Sequence, residues 1–530
     1  MKFIHVLKIL LHYFLVNKLF FLFIVLYFVF VTYFLKGLYT LDPDFGWRIR
    51  VGEIIAHQGI PKVDPFSYTM PTFPFVDHSW FFSLLTFLTY PVFKNGLLSL
   101  FLASLVFAAV YVANLRLTRE DVEHSEASSF IEKWTHPVTL TVIAFLMIFF
   151  SVRAQIVSWF FFAILNFLLF RADNFARYKY FLPGLFFIWA NLHGGYFLGI
   201  IVFTYFVLFR LIVSKKGSYK DILILTACVL VTLITPYGLG GWREVASSVF
   251  DSRLRWSIME WMPSITLFDI SMAFYLAISA TMLFVKGREV AKIQRYLFWG
   301  LLVFGLTSKR NMPFFMIYSL PLTITAIGKL YDEIKKSSLA RERFQSAFII
   351  LQIFSLVVLL SQTYFSFWQD YIRGVRGKDS TEFYPVSATE YLRETKVEGQ
   401  IFSSYGWGGY LLWNLPEKKV FIDGRMPSWK FNPPQGSNET VSAYDDYLKI
   451  ESGDMNFNEV SDRYGIEYVL WPKEKESVYK KIEKRVRDTG ILGKKENDFS
   501  FTKNLEDNGW VLLYSDATSL IYKRLVGKRI

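Results

Sequence analysis

The chain has 530 residues, of which 53% are hydrophobic and 19% aromatic, including 55 Phe. These fractions exceed what a water-soluble core buries and exclude a soluble globular enzyme. The net charge of +13 does not indicate a nucleic-acid partner, because many Lys and Arg flank apolar runs, as in cytoplasmic loops that meet anionic headgroups.

Apolar runs that predict membrane-spanning helices recur through the first 366 residues, since a helix needs about 20 such residues to cross a bilayer. The candidate spans are residues 19–36, 97–116, 137–152, 156–170, 180–192, 196–213, 219–235, 267–285, 296–309, 313–329 and 345–366. The stretch 79–93 is ambiguous, and we predict a half-inserted or juxtamembrane helix there. The sequence therefore predicts an α-helical polytopic membrane protein with about 11 spans, or 12 if that stretch crosses.

Charge predicts the orientation of these spans. A cytoplasmic N-terminus places the basic clusters at 171–179, 215–216 and 286–295 in the cytoplasm, in agreement with the positive-inside rule. It also places the acidic residues Asp121, Glu123 and Glu126 inside. The basic N-terminal segment runs into a long apolar stretch without a small-residue cleavage site, so it indicates a retained first span. We expect a multi-pass protein of the plasma (inner) membrane.

The composition changes after residue 366. Residues 367–530 are charged and turn-rich and predict a soluble, extracytoplasmic α/β domain, with strands at QIFSSY, KKVFIDG, YGIEYVLW, WVLLYS and SLIYKRL. Residues 1–366 form the predicted membrane domain, which includes a long first outer loop at 37–78.

The first outer loop carries two carboxylates two residues apart, Asp42 and Asp44, followed by Arg48 and Arg50. Such a pair can bind a divalent cation, or one member can act as a general base towards a hydroxyl. The alternative is that Asp42-Pro43-Asp44 only caps a helix over FGWRIRVGEIIAHQG. Near the end of the loop, Asp77 and His78 are candidate accessory contacts to an acceptor or metal.

Other polar residues fall at the predicted outer ends of spans. They are Arg153, Gln155, Asn191, His193, Pro236, Tyr237, Glu260, Arg310 and Asn311. Because ionisable groups at membrane depth are costly, such residues are functional or paired structurally. Their placement on one side predicts a common site, although each one singly can be explained by packing or by an arginine anchor at the headgroups.

Several motifs in this order resemble those of GT-C-type membrane glycosyltransferases. They are DPDFGWRIRVGE, HQGIPKVDPFSYT and PFVDHSW in the first loop, then VRAQIVSWF, IWANLHGGYFLG, ITPYG, MEW, SKRNMPFF, YGWGGYLLWNL and VFIDGR, from about residue 40 to residue 425. The first segment is similar to the DPxFxYR segment of oligosaccharyltransferase catalytic subunits, and the set resembles bacterial glycosyltransferase family 39-like proteins. Two positions depart from the pattern: Arg48 replaces a His common in such proteins, and Ala154 replaces a Pro.

The resemblance implies a GT-C-like fold, a polyprenyl-phosphate-linked sugar donor and inversion at the transferred sugar. It implies that Asp42 or Asp44 deprotonates the acceptor or holds a divalent metal such as Mg or Mn. Arg153 and Arg310 are the candidates for the donor phosphate, since Arg suits bidentate phosphate contact. His193 and Glu260 would line the site. The expected partners are membrane lipids, the lipid-linked donor and a glycan, lipid or protein acceptor.

Two readings of another class compete with this one. A non-enzymatic transporter or flippase of lipid-linked glycans could use the same polar face, but the paired repeats typical of transporters are not visible. A membrane scaffold could bind cell-envelope polymer through the tail and use the loop acids structurally. No P-loop or dinucleotide-binding motif occurs in the sequence.

Overall fold

The structure is a computed structural model that describes residues 18–117, 132–171, 173–267, 269–375, 383–473 and 499–525. The predicted acidic loop with Asp121, Glu123 and Glu126 lies outside these ranges. The chain divides into two compact units. The helical unit comprises Met1–Leu41 and Asp77–Gly377, and the α/β unit comprises Asp42–Val76 and Lys378–Ile530.

The secondary structure is mainly helical. The helices are α1 (Lys18–Tyr39), α2 (Phe45–Gln58), α3 (Trp80–Phe93), α4 (Gly96–Asn114), α5 (Pro137–Ile148), α6 (Gln155–Phe170), α7 (Asn174–Tyr178), α8 (Leu182–Leu192), α9 (Tyr196–Leu208), α10 (Tyr219–Val231), α11 (Leu239–Phe250), α12 (Leu254–Ser257), α13 (Ile270–Lys286), α14 (Lys292–Thr307), α15 (Met312–Ile334), α16 (Ser338–Val375), α17 (Val386–Glu394), α18 (Gly408–Asn414), α19 (Ala443–Ser452), α20 (Phe457–Tyr464) and α21 (Phe501–Asp507). The strands are β1 (Gln400–Ser403), β2 (Ile466–Pro472), β3 (Trp510–Ser515) and β4 (Ser519–Arg524).

Each of the eleven predicted spans forms a helix, because helices satisfy every backbone polar group internally in an apolar solvent. Within the described residues, six helices are long and apolar enough to cross a membrane, or seven if α6 and the segment Asn174–Leu192, bent by 113°, count as one span. The number of crossings stays a prediction. The ambiguous stretch forms α3, whose 14 residues extend about 21 Å, less than the roughly 30 Å of a bilayer core.

The core of the helical unit is built from aromatic and branched side chains. The short helix α5 is buried along almost its whole length, and α16 packs against it and against α1. The short α5 is therefore an interior element of this unit.

Helix α4 packs against α6. Both helices end on the same side, since Arg171 after α6 donates to the Leu115 carbonyl after α4.

The α/β unit contains a four-stranded mixed sheet in the order β1-β2-β4-β3. Strands β1 and β2 are parallel, while β4 is antiparallel to β2 and β3, with Val469 opposite Tyr522. Four of the five predicted strands are present. The fifth, KKVFIDG, contributes only isolated bridges from Val420 to Ser67 and Ile401.

The first loop is part of the α/β unit. Residues 37–78 were predicted to belong to the membrane domain, whereas residues 42–76 pack with the tail. Thr69 donates to the Phe421 carbonyl, and Phe73 stacks on Trp429 with ring centroids 4.2 Å apart. These contacts join residues more than 350 positions apart, which local sequence patterns do not reveal.

Candidate functional site

The acidic turn of the α/β unit, residues 42–44, is held by its own hydrogen bonds. The Asp44 N–H donates to Asp42 Oδ1 at 3.0 Å, and Trp47 Nε1 donates to Asp44 Oδ1 at 2.9 Å. Asp42 is buried, and Phe45 N–H donates to its carbonyl as α2 begins. Asp44 occupies the N-cap position without a side-chain cap bond. The Asp44 carboxylate is thus oriented by an indole and not by the helix amides.

Glycines from the tail approach this turn closely. A Cβ on Gly424 would lie 2.3 Å from Asp44 Oδ1, and one on Gly409 would lie 2.5 Å from the Pro43 carbonyl oxygen. A Cβ on Gly46 would lie 1.9 Å from the Gly409 oxygen. Only glycine permits such backbone approach. The YGWGGY and VFIDGR segments therefore support the acidic turn, a role that the sequence analysis did not assign to them.

The two arginines after the turn differ in their surroundings. Arg48 is buried, and its guanidinium lies 4.4 Å from the centroid of the Trp47 ring. Arg50 forms an ion pair with Glu53 one turn later on α2. Arg48 thus stays near the acidic turn, whereas Arg50 takes part in a partly exposed pair on the helix.

A buried ionic triad lies behind the VFIDGR segment. Arg425 Nη1 donates to Asp64 Oδ1 at 2.6 Å, and Arg425 Nε donates to Asp423 Oδ1 at 2.8 Å. Burial disfavours the charged guanidinium, but the carboxylates of Asp423 and Asp64 outweigh burial and raise the pKa of Arg425. The Asp423–Arg425 pair gives this segment a structural role. Asp64 could not be predicted as a partner of Arg425, because no local sequence pattern links the two residues.

In the helical unit, Asp77 is committed to the start of α3. Its Oδ1 accepts from the Ser79 N–H at 2.8 Å and from Ser79 Oγ at 2.9 Å, while its Oδ2 accepts from Ser83 Oγ at 2.6 Å. Burial, with the charge of Asp77, raises the pKa of Tyr237. Asp77 therefore fixes the start of this helix.

Asn191 joins three segments of the helical unit. Its Oδ1 accepts from Trp80 Nε1 at 3.0 Å, and its Nδ2 donates to the carbonyls of Phe187 and Ile234 at 2.9 and 3.1 Å. Both ends of the amide are used by the protein itself. The contacts assign Asn191 a positioning role.

His193 belongs to a hydrogen-bonded chain. Trp189 Nε1 donates to Ser158 Oγ at 2.7 Å, and this hydroxyl lies 2.7 Å from His193 Nδ1. The Gly195 N–H also donates to Nδ1, at 3.0 Å. With Nδ1 accepting, the neutral imidazole carries its proton on Nε2. The His78 ring lies 5.6 Å from the His193 ring, so the two predicted histidines are neighbours.

The predicted phosphate-binding arginines share a second cluster. Arg153 forms an ion pair with Glu260, and Arg310 lies over the Trp261 ring at 4.5 Å from its centroid. The Arg310 N–H donates to the Glu260 carbonyl at 3.2 Å. Glu260 and Trp261, which are adjacent in sequence, thus contact the guanidinium groups of Arg153 and Arg310.

Helix α6 connects the two clusters of the helical unit. Gln155 Nε2 donates to the Arg310 carbonyl at 2.8 Å, and Ser158 lies three residues later, on the same helix face. Asn311 donates to the Phe304 carbonyl at 3.4 Å and so supports the Arg310 segment. The structure thus groups the predicted polar residues from Asp77 to Asn311 within the helical unit.

A divalent metal was one expectation for Asp42 and Asp44. Among the residues that the structure describes, no three His, Cys, Asp or Glu side chains come close enough to hold a metal ion. Mg²⁺ commonly binds through one or two carboxylates and keeps several waters, so a metal at Asp42 and Asp44 stays a prediction.

Comparisons with known proteins concern the fold. No family model matches the sequence, and no curated protein matches it. The structure is similar to the archaeal oligosaccharyltransferase AglB from Archaeoglobus fulgidus, solved in complex with an inhibitory peptide and a dolichol-phosphate, with a TM-score of 0.53 and 12% identity over 96% of this chain and 75% of that chain. It is also similar to ArnT from Cupriavidus metallidurans in the apo state, with a TM-score of 0.49 and 12% identity over 96% and 98% of the two chains. The AglB likeness confirms, for the fold, the resemblance to GT-C-type membrane glycosyltransferases.

Proposed function

We propose that the protein is a membrane glycosyltransferase that moves a sugar from a polyprenyl-phosphate carrier to an acceptor hydroxyl or amide at the outer face of the membrane. The observation that carries this proposal is the cluster of Arg153 and Arg310, two guanidinium groups held by the adjacent residues Glu260 and Trp261. Two arginines in one cluster suit a phosphate better than a neutral ligand.

The helical unit supplies the donor contacts in this proposal. When the bond between the sugar C1 and the phosphate oxygen breaks, negative charge develops on that oxygen. Arg153 and Arg310 stabilise the charge, and His193, protonated on Nε2, donates to a phosphate oxygen. Glu260 keeps Arg153 oriented before the donor binds.

Asp44 is the proposed base, a role that rests on the resemblance of its segment to glycosyltransferase motifs. Asp44 accepts the proton of the acceptor as the acceptor atom bonds to C1 from the face opposite the leaving phosphate, which inverts the anomeric centre. The products are the glycosylated acceptor and polyprenyl phosphate, and the proton remains on Asp44 until water removes it. Asp42 orients Asp44 through the Asp44 N–H.

The test uses the full-length chain in vesicles with a panel of polyprenyl-phosphate-linked sugars, scored by release of polyprenyl phosphate and by sugar transfer. Asp44→Asn should lower transfer by about 10²- to 10⁴-fold, the usual contribution of a general base. Asp454→Asn, an exposed aspartate of the same unit, is the matched control and should retain activity. Wild-type transfer by Asp44→Asn would contradict the proposed base.

The donor contacts are tested separately. Arg153→Gln should raise the KM for the donor by at least about tenfold, since a hydrogen bond to a charged group contributes roughly 1.5–3 kcal/mol. Arg253→Gln removes an arginine from another ion pair of the helical unit, with Asp251, and should leave KM unchanged. Carrier movement across the bilayer without sugar release would support the transporter alternative.

A further inference from the structure

Arg116, just beyond the end of α4, is a buried cation that the proposed reaction does not use. It is 8% exposed, and its Nη1 donates to the Tyr318 carbonyl at 2.9 Å. Its guanidinium lies 5.4 Å from the Phe170 ring centroid and 4.9 Å from that of Tyr318. Among the described residues, Nε and Nη2 have no hydrogen-bond partner. Two buried donors of a charged group are thus unsatisfied by this part of the chain.

A purely structural role of Arg116, the bond to the Tyr318 carbonyl, accounts for only one of its donor groups. Tyr318 lies inside α15, and Arg116 Nη1 donates to its helix carbonyl. This bond uses only one of the guanidinium N–H groups. The remaining N–H groups need an acceptor, because a buried charge without a partner is strongly unfavourable.

A second arginine lies at the same end of the helical unit. Arg171, the first residue after α6, donates to the carbonyl of Leu115, the residue before Arg116. Arg171 is only partly buried, so its side chain reaches the surface at this end of the helical unit. Gln294 donates to the Phe170 carbonyl at 3.1 Å, which brings the start of α14 to the same place.

The ligand class follows from charge and depth. Arg116 lies two residues beyond the candidate span Gly96–Asn114, the level at which lipid headgroups lie. Lys292 and Arg295, on either side of Gln294, add positive charge at the start of α14. Guanidinium groups bind phosphate oxygens in a bidentate manner. A headgroup phosphate is thus the anion that we expect at this position.

We propose that Arg116 and Arg171 form a binding site for the phosphate of an anionic phospholipid. The site is distinct from the cluster of Arg153 and Arg310. It lies at the end of α6 that carries Arg171, whereas Gln155 and the Arg153 cluster belong to the other end of that helix. The proposal stands whether or not the protein transfers sugars.

The experiment measures lipid retention by the purified full-length chain, using native mass spectrometry and thermal unfolding in the presence of phosphatidylglycerol, phosphatidylcholine or inorganic phosphate. The wild type should retain phosphatidylglycerol in preference to phosphatidylcholine. Arg116→Met should weaken that retention by about tenfold or more. If Arg116→Met does not fold, Arg171→Met should still weaken retention measurably.

Arg177→Met is the matched control, because Arg177 is an exposed arginine close in sequence and its loss changes the net charge equally. It should retain lipid as the wild type does. Equal retention by all three variants overturns the proposal. Stabilisation by inorganic phosphate with no lipid preference indicates a free-phosphate site and overturns the lipid assignment.

The acidic residues 120–126 supply the remaining test, because they follow α4 in sequence. A variant with Glu120, Asp121, Glu123 and Glu126 neutralised should bind phosphatidylglycerol at least as well as the wild type. The proposal fails if this variant is destabilised as much as Arg116→Met and the wild type shows no lipid preference. In that case an acidic residue of the same chain pairs with Arg116.

Discussion

Gly424→Ala tests whether the tail positions the proposed base. The added Cβ would lie 2.3 Å from Asp44 Oδ1, and because non-bonded heavy atoms lie about 3.5 Å apart, relief requires a shift of about 1 Å. If the carboxylate turns away, it loses the 2.9 Å bond from Trp47 Nε1, a loss of about 1.5–3 kcal/mol. A displacement of about 1 Å can lower a rate by about 100-fold.

The assay is the rate of sugar transfer at saturating donor, with thermal unfolding measured in parallel. We expect Gly424→Ala to lower kcat by about 100-fold while the protein stays folded. Gly406→Ala is the matched control in the same unit, because its Cβ would meet the Phe383 ring at an ordinary distance of 3.4 Å. Wild-type kcat for Gly424→Ala would show that the position of the Asp44 carboxylate does not limit transfer.

Two further substitutions test buried polar contacts by thermal unfolding. Arg425→Met leaves two fully buried carboxylates without their cation and should destabilise the protein by about 3–5 kcal/mol. Arg524→Met removes a partly exposed ion pair and should cost at most about 1 kcal/mol; similar effects of the two changes would refute the role of the triad. Ser158→Ala removes the hydroxyl between an indole and an imidazole and should cost about 1–3 kcal/mol, whereas Ser104→Ala, at an exposed helix position, should be nearly neutral.

The sequence predicted the helices well, because a bilayer imposes long apolar runs whose pattern is local. It predicted the polar helix ends for the same reason: Arg153, His193 and Arg310 interrupt such runs. The side chains that contact these residues were harder to predict. Ser158 looks like an ordinary small residue inside an apolar helix, and only the structure places its hydroxyl next to His193 Nδ1.

The α/β unit was harder to predict from sequence. The motifs around Gly409 and Gly424 were noticed, but their role depends on contacts with Pro43 and Asp44 across the fold. KKVFIDG has the composition of a strand, yet it forms only isolated bridges through Val420. Such pairings between distant segments are set by tertiary structure, which overrides local strand propensity.

The discontinuous α/β unit has a consequence for biosynthesis. Residues 42–76 leave the ribosome about 300 residues before the tail that completes their fold, a delay of about 15–60 s at normal elongation rates. During this interval Phe66, Phe73 and Phe75, which are buried in the finished protein, have no tail partners, so this segment exposes apolar side chains that chaperones recognise. A tail expressed alone would in turn lack Asp64, which pairs with Arg425.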